Sequence, residues 1–326
     1  MSASRIGFVA IGRNEGARLD ACLAALRRAS AGAIVYVDSG STDDSIAIAG
    51  KHGADIVRLD LSAPFTAARA RNAGAERLLA LGAPDYVQFV DGDCELAEGW
   101  VAAATEHLDA NPQAAVVCGR RREKRPEASL YNRLCDLEWA TPVGDAIACG
   151  GDAMMRFAAI ADVGFYNDRL IAGEEPELCL RLRERDWKIR RLDAEMTRHD
   201  AAMTRFSQWW RRTRRAGHAF AEVSDLHRAS PKRIWRRETR RALLWAAIAP
   251  AAIVLAIAAS PWFALALIAY PAQALRLFLG ARRRLGRDAA AWAILTVLGK
   301  FAEAAGAIEY HLRRRTGRNA ALIEYK

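Results

Sequence analysis

Several common sequence patterns are absent from this chain of 326 residues, and each absence excludes a class of protein. The six cysteines lie at least 14 positions apart with no C-x-x-C pair, which excludes a zinc ribbon and a small disulfide-linked scaffold. No G-x-G-x-x-G motif follows the first predicted strand and no G-x-x-x-x-G-K-[ST] occurs, so neither a dehydrogenase-type dinucleotide site nor a P-loop is expected. The first apolar run, residues 6–11, is too short for a signal peptide. We therefore expect a cytosolic, reduced N-terminal part.

Acidic charge is scarce in the last third of the chain. Residues 205–326 contain 23 lysines and arginines against 7 acidic residues, a net charge of +16, whereas residues 1–204 contain 25 against 31, a net charge of −6. The basic charge is concentrated around apolar runs, which argues against nucleic-acid binding despite the formal net charge of +10. The sequence predicts an acidic domain at 1–204 followed by a part adapted to a different solvent.

Two apolar runs, 242–259 and 262–279, are each about as long as a short membrane span, which needs roughly 17–25 residues. Lysine and arginine clusters flank the pair, so the positive-inside rule places both ends of a transmembrane or re-entrant hairpin in the cytoplasm. We expect a basic interfacial helical segment at 205–241, and a basic loop with an amphipathic helix at 280–326. The alternative, which Arg276 favours, is a buried helical pair of a soluble domain.

Short β-rich runs alternate with helical patterns in the first hundred residues. The runs at 6–11, 33–38, 55–59 and 86–91 have the composition of buried parallel strands. Between them, apolar residues recur at helical spacing. This alternation predicts a doubly wound, Rossmann-like α/β sheet, in which ligands bind at the carboxyl ends of the strands.

Polar side chains collect directly after three of these predicted strands. Asn14 and Glu15 follow the first strand, Asp38 ends the second, and Asp91 and Asp93 follow from the fourth. Two carboxylates separated by one glycine can hold a divalent cation that bridges a diphosphate. A D-x-D sequence arises about once by chance in a chain of this composition. Its position at the end of a predicted strand makes it a candidate metal site.

Five motifs, in the expected order, resemble those of the family 2 glycosyltransferases with the GT-A fold. They are IGRNEG at 11–16, VDSGSTDDS at 37–45, ARARNAG at 68–74, VQFVDGDCEL at 87–96 and AGEEPELCLRLR at 172–183. The resemblance implies a GT-A catalytic domain with a doubly wound mixed sheet. It also implies a metal-dependent enzyme of the hexosyltransferase type that uses Mg²⁺ or Mn²⁺ and a UDP- or GDP-sugar donor.

The resemblance also implies which residues bind the donor and the metal ion. The nucleotide-sugar site would contain Asn14, Glu15, Asp38, Arg71, Asn72 and Asp91. The metal ligands would be Asp93, Asp91 and His199. Structural alternatives stay open at this stage: a solvated helix face for Arg71, a helix-capping turn for Asp38 and a structural histidine for His199.

An acidic pair takes the place of the family's catalytic acids. The second member of that pair is the general base in inverting enzymes and is usually Asp, whereas this chain has Glu174 followed by Glu175. We favour Glu175 as the base, although both residues also suit the first turn of a helix. On the acceptor side, the resemblance implies a glycine-containing loop and a tryptophan that could stack on a sugar. These residues are Gly150, Gly151, Asp152 and Trp139.

Together these features predict an inverting glycosyltransferase of the inner (cytoplasmic) membrane, with its catalytic domain in the cytoplasm. The expected partners are a nucleoside-diphosphate sugar, a lipid-linked or glycan acceptor used in polysaccharide synthesis, and membrane lipids, but no nucleic acid. Polyprenyl phosphate as the acceptor is the nearest alternative. A nucleotidyltransferase and a basic nucleic-acid-binding protein are alternatives of other classes, and salt-sensitive duplex binding would favour the latter.

Overall fold

The structure is a computed structural model that describes residues 5–317. It divides into two compact units. The N-terminal unit comprises Met1–Arg125 and Cys135–Ala201, and the C-terminal unit comprises Pro126–Leu134 and Ala202–Lys326. The last predicted segment, 280–326, extends beyond the described residues at its C-terminal end.

A mixed sheet forms the centre of the N-terminal unit. Its strands are β1 (Ile6–Gly12), β2 (Ile34–Asp38), β3 (Asp55–Arg58), β4 (Tyr86–Asp91), β5 (Cys94–Leu96), β6 (Ala114–Glu123), β7 (Gly144–Ala146), β8 (Ala153–Arg156) and β9 (Lys188–His199). The strand order is β3-β2-β1-β4-β8-β6-β9-β5, and β7 pairs with β9. The pairs among the first four strands are parallel, whereas β8 is antiparallel to both of its neighbours.

Helices flank this sheet. They are α1 (Ala17–Ala29), α2 (Ser45–Lys51), α3 (Ala67–Gly82), α4 (Trp100–Ala110), α6 (Phe157–Asp162) and α7 (Glu174–Glu184), and α5 (Leu130–Trp139) crosses the boundary between the units. All residues of β2 are buried, as its composition predicts. β3 was expected to be buried too, but it is the edge strand and is only partly buried. In α3, a Cβ on Gly74 would lie 2.3 Å from Val9, so glycine allows this helix to approach β1 closely.

The C-terminal unit is helical throughout its described secondary structure. It contains α8 (Phe206–Leu226), α9 (Arg236–Leu243), α10 (Ala249–Ala259), α11 (Ala269–Leu285) and α12 (Ala289–Thr316). A π-helical turn, Leu244–Ile248, joins α9 to α10, and a 3₁₀ segment, Pro261–Ile268, precedes α11. The buried residues of α12 are all alanines or glycines. The predicted amphipathic helix therefore packs through a face of small residues.

Two helical stretches of the C-terminal unit are long and apolar enough to cross a membrane. Arg236–Ala259 reaches a mean hydropathy of 2.4 over 18 residues, and only 6% of that window is buried. Pro261–Thr316, which includes α11 and α12, reaches 1.5 with none of its window buried. Exposed apolar surface of this extent is costly in water. These helices therefore suggest that the protein associates with a membrane.

Candidate active site

The candidate site lies at the carboxyl ends of the parallel strands, where the strand order reverses between β1 and β4. Gly92 donates a backbone hydrogen bond to Ile11 O at 2.8 Å, which holds the end of β4 beside the end of β1. A Cβ on Gly92 would lie 3.2 Å from Glu15 Cγ. The glycine between the two aspartates thus leaves space for Glu15, whose carboxylate pairs with Arg18 at 2.8 Å.

Two predicted nucleotide-binding residues connect the loops after β1 and β2. Asn14 has a left-handed backbone (φ 56°), and its Oδ1 accepts from Thr42 N at 2.7 Å. The buried Asp38 accepts from Gly40 N and Ser41 N, both at 3.0 Å, through Oδ2. Asp38 therefore stabilises the turn after β2, but it does not cap a helix, because α2 begins only at Ser45 with Asp44 at its N-cap position. These contacts fix the shape of the two loops.

Arg71 of α3 links the acidic pair to the end of β4. Its guanidinium is buried and pairs with Glu174 at 2.7 Å and with Asp91 at 2.8 Å. Burial opposes the charge, but Asp91 and Glu174 outweigh burial and raise the pKa of Arg71 above its ordinary value. The structure thus excludes the solvated helix face considered for Arg71.

Asn72 has a different position from the one expected of a residue closing over a nucleotide. Its Nδ2 donates to Tyr166 O at 2.9 Å, and its Oδ1 accepts from Tyr166 N at 3.0 Å. Both amide atoms are therefore used by the backbone of the loop before α7. The structure gives Asn72 the task of holding this loop, where Tyr166 also lies against the Arg71 guanidinium.

Arg121 of β6 is a site residue that the sequence analysis missed. It lies 2.7 Å from Asp152 and 3.7 Å from Asp91, and these carboxylates raise its pKa against the opposing effect of burial. In sequence it belongs to a run of three arginines, which resembles a solvated charge cluster. The alternation of side chains along a strand could have shown that Arg121 faces away from Arg120 and Arg122, both of which pair with Asp136.

Asp152 was expected on the acceptor side, but its side chain is fully buried below the site. Its Oδ1 accepts from Asp91 N at 3.0 Å. Its Oδ2 accepts from the Thr197 hydroxyl at 2.8 Å and forms an ion pair with Arg121. A carboxylate surrounded by donors in this way cannot face an acceptor. Asp152 instead positions Asp91 and Arg121.

The adjoining glycines lie at the surface of this network. Gly150 has a φ of 92°, and a Cβ on Gly151 would lie 2.9 Å from Arg71 Nη2 and 3.0 Å from Asp91 Oδ2. Glycine suits the left-handed backbone at Gly150, and at Gly151 a side chain would have to displace these charged groups. Trp139 lies nearby, with its ring edge-on to His199 at 5.0 Å between centroids and 5.6 Å from the Arg121 guanidinium.

Asp93 and His199 form a pair that fits a divalent cation. His199 Nε2 lies 3.3 Å from Asp93 Oδ2, and both residues are buried. Burial, together with the charge of Arg121, lowers the pKa of His199 to about 4, so its imidazole is neutral at pH 7 and offers a lone pair. Cys94 Sγ lies within 4.8 Å of both ligand atoms. On the opposite side of the ring, Glu123 Oε2 lies 3.9 Å from Nδ1.

The two members of the acidic pair have separate partners. Glu174 is partly buried and is held by Arg71. Glu175 is buried, and its Oε1 accepts from the backbone N–H of Cys149 at 2.6 Å and from the thiols of Cys149 and Cys179, both at 3.0 Å. Burial raises the pKa of Cys149 well above its ordinary value, so this thiol is protonated and can donate. Among residues 5–317, no hydrogen bond is made to Oε2 of Glu175.

Comparisons with known proteins agree with this arrangement. Residues 9–164 match the family model described as Glycosyl transferase family 2. The mannosyltransferase PcManGT from Pyrobaculum calidifontis, solved with GDP-Man and Mn²⁺, is similar over 94% of this chain and 88% of its own, with 16% identity and a TM-score of 0.64. TarS 1–349 from S. aureus is similar over 96% and 92%, with 14% identity and a TM-score of 0.50.

No curated protein matches the sequence. At identities of 14–16%, the two structural similarities show the fold alone. They confirm the GT-A fold that the motifs predicted, and the family model confirms the resemblance on which that prediction rested. Residues 9–164 therefore belong to glycosyltransferase family 2, within a chain that has the GT-A fold.

Proposed function

We propose that the protein is an inverting glycosyltransferase that moves a sugar from a UDP- or GDP-sugar to a hydroxyl of a membrane-associated, lipid-linked acceptor. The observation that carries this proposal is the buried Arg71, which pairs with Glu174 and with Asp91 at once. It holds the acidic pair of α7 beside the carboxylates that follow β4. One arginine thus joins the residue beside the proposed base to a carboxylate two positions from the proposed cation ligand Asp93.

The donor would lie along the strand ends. The loop residues Asn14 and Glu15 and the carboxylate of Asp38 border the space for the base and ribose, and their hydrogen bonds keep the two loops in place. The proposal of a nucleotide-sugar donor is supported by the similarity to PcManGT, which was solved with GDP-Man. UDP and GDP both remain candidates for this chain.

Asp93 and His199 would hold the divalent cation, with Asp91 directed toward the ribose or the cation. The cation would supply positive charge that stabilises the departing diphosphate. One carboxylate with one neutral imidazole is a donor set that suits Mn²⁺ better than Mg²⁺, which prefers oxygen ligands. The orphaned Nδ1 of His199 faces Glu123, a carboxylate placed as a partner for a metal-ligating imidazole.

In the transfer step, Glu175 would take the proton from the acceptor hydroxyl. The acceptor oxygen then forms a bond to the anomeric carbon while the bond from that carbon to the diphosphate oxygen breaks, and the nucleoside diphosphate leaves. Oε1 of Glu175 is fixed by Cys149 and Cys179, which leaves Oε2 for the acceptor. Glu174 is committed to Arg71 and would act as a positioning residue.

The roles of the two glutamates are tested by comparing Glu175→Gln with Glu174→Gln in a transfer assay with membrane lipid extract as acceptor. Loss of a general base lowers kcat by roughly 10²–10⁴-fold, so we expect Glu175→Gln to have the larger effect on kcat. Both variants should still bind the nucleoside diphosphate. If Glu174→Gln abolishes transfer while Glu175→Gln retains it, the base is Glu174 and this assignment is wrong.

The acceptor proposal depends on the C-terminal unit. Its apolar helices and the basic clusters around them favour a protein of the cytoplasmic membrane with its active site in the cytoplasm. A lipid-linked oligosaccharide is then the acceptor we favour, with polyprenyl phosphate as the alternative. Mass spectrometry of the product separates them, because sugar transfer to polyprenyl phosphate gives a monophosphate-linked sugar and no extended glycan.

A further inference from the structure

A cluster of arginines at the start of the first candidate membrane helix surrounds an open cavity. The cavity has a volume of about 430 Å³, within the range of roughly 300–1,000 Å³ that is typical of small-molecule sites. It is lined by Arg233, Arg236, Arg237, Arg240, Arg241 and Leu244. We call it the arginine cavity.

The local sequence explains why these side chains converge. Arg233 and Trp235 both have left-handed backbones, with φ of 47° and 51°, so the chain turns sharply just before α9. Within α9, a spacing of four residues places Arg236 beside Arg240 and Arg237 beside Arg241 on the helix surface. The turn brings Arg233 to the same cavity.

This arrangement is electrostatically unfavourable without a bound anion. None of the five arginines makes an ion pair with another described residue of the chain. Like charges four residues apart repel each other, and the positive end of the helix dipole adds to the repulsion. Guanidinium groups bind phosphate with paired hydrogen bonds, so a phosphate group is the ligand that removes the repulsion best.

The surroundings of the arginine cavity indicate that its phosphate is attached to a lipid. Leu244 also lines the cavity, and from there the exposed apolar stretch continues toward Ala259. Trp245 follows and is 43% exposed. Exposed tryptophan next to arginine at the start of an apolar helix is typical of the level of membrane headgroups. A lipid phosphate there would have its charge among the arginines and its chain along the helix.

We propose that the arginine cavity is a binding site for the phosphate of an anionic membrane lipid. The proposal does not depend on which reaction the N-terminal unit performs. The chemical requirements are a phosphate that can accept paired guanidinium hydrogen bonds and an attached hydrocarbon chain.

The test is equilibrium binding to the full chain in a neutral detergent. Three soluble probes are titrated: dihexanoyl phosphatidic acid, dihexanoyl phosphatidylcholine and inorganic pyrophosphate. We expect phosphatidic acid to bind most tightly. Equal or tighter binding of pyrophosphate that is weakened when Arg237 and Arg241 are both replaced by glutamine would assign the cavity to a soluble anion. Equal binding of phosphatidylcholine would show that the phosphate charge is not recognised. Either result overturns the proposal.

The matched variants are Arg237→Gln with Arg241→Gln, and Arg283→Gln with Arg284→Gln as the control. Both double variants remove two exposed arginines that make no ion pair among the described residues, and therefore the same charge. We expect the first to weaken phosphatidic acid binding by about tenfold or more, and the control to retain the wild-type affinity. Equal losses in both would indicate general charge attraction and contradict the site.

A third variant protects the test against misfolding. Arg237→Lys with Arg241→Lys keeps the charge but removes the planar guanidinium groups that bind phosphate bidentately. We expect it to melt at the wild-type temperature and to lose most of the phosphatidic acid affinity that the glutamine variant loses. Wild-type affinity in this lysine variant would contradict paired guanidinium recognition.

Discussion

Arg71 and Arg121 carry two positive charges into the interior of the site, and three carboxylates surround them: Glu174, Asp91 and Asp152. A buried charge is costly unless it is paired and hydrogen-bonded. The pairing explains how the fold keeps these groups charged close to a candidate cation site. Because these paired groups lie directly against the loop at Gly150 and Gly151, a larger residue in that loop would disturb the ion pairs.

Gly151→Ala should damage the site without unfolding the sheet. The new methyl group would meet Arg71 Nη2 at 2.9 Å and Asp91 Oδ2 at 3.0 Å, so the ion pair or the loop must shift. We expect a loss of about 1–3 kcal/mol in the free energy of unfolding, measured with denaturant, and a loss of transferase activity. Gly50→Ala is the control, since a Cβ at Gly50 meets nothing within 4 Å. Equal effects of the two changes would contradict this account.

The buried His199 predicts a pH dependence of stability in the metal-free protein. Its pKa is about 4 in the folded state and about 6.5 in an unfolded chain. The unfolded state therefore binds more protons between these values, and stability falls as the pH is lowered from about 6.5 to 4. The contribution at neutral pH has an upper limit of about 3 kcal/mol.

Denaturant unfolding at several pH values after chelator treatment measures this effect. His199→Gln should flatten the slope between pH 6.5 and 4, because the group that titrates has been removed. His107→Gln is the control, since His107 is far less buried and its pKa is lowered less. An unchanged slope in His199→Gln would show that the imidazole is not held neutral by burial.

At the level of residues, the motifs singled out side chains that the fold brings together, such as Asp91 with Arg71 and Asp93 with His199, but they did not indicate these pairings. The buried Asp93 follows β4 and the buried His199 ends β9, and their residue types are those of a cation site. Asn72 is hydrogen-bonded to the backbone of a residue 94 positions away. The Asp152 carboxylate forms an ion pair with Arg121 of β6 and accepts a hydrogen bond from Thr197 of β9. Such long-range contacts leave no local pattern in a single sequence.

Among the elements, the closest helix packing in the C-terminal unit depends on two glycines. A Cβ on Gly217 of α8 would lie 2.1 Å from Glu303 O, and one on Gly306 of α12 would lie 2.0 Å from Arg214 O. These backbones are too close for any side chain. Small residues in such positions let helices approach closely, which is a common form of packing in membranes.

Gly306→Ala should therefore separate α8 from α12. We expect the melting temperature of the detergent-solubilised protein to fall, with a destabilisation of about 1–3 kcal/mol because the methyl group meets backbone that cannot move aside. Gly280→Ala in α11 is the matched control, since a Cβ there meets nothing within 4 Å. A melting temperature unchanged by Gly306→Ala would rule out the close crossing.

The sequence predicted β1, β2 and β4 well because each is a short apolar run between turn signals, whereas it located β3 but not its partial exposure at the sheet edge. It did not predict β6 or β9, which contain six arginines between them. Their charges are satisfied by partners such as Asp136 and Asp152 that come from other elements. Hydrophobic periodicity cannot identify a strand whose charged residues are paired across the fold.

For the whole molecule, the distribution of charge and apolar residues was visible from composition. The acidic N-terminal part contains the mixed sheet and the buried polar site, and the basic part contains the two apolar helical stretches. Apolar runs of this length need no partner to be recognised, so this division was predictable. The boundaries of the two compact units were not predictable from composition. Residues 126–134 belong to the C-terminal unit, although the sequence on both sides of them belongs to the N-terminal unit.

The central claim is that this chain transfers a sugar from a nucleotide donor at the site around Asp93. The most direct measurement is nucleoside diphosphate release from UDP-, GDP- and dTDP-sugars by the full chain in detergent, with lipid extract as acceptor and with Mn²⁺ or chelator. We expect release from one donor, dependent on Mn²⁺ and lost in Asp93→Ala but not in Glu98→Gln, whose exposed side chain lies nearby in sequence. Release that persists in Asp93→Ala, or no release from any donor with lipid extract present, would contradict the account.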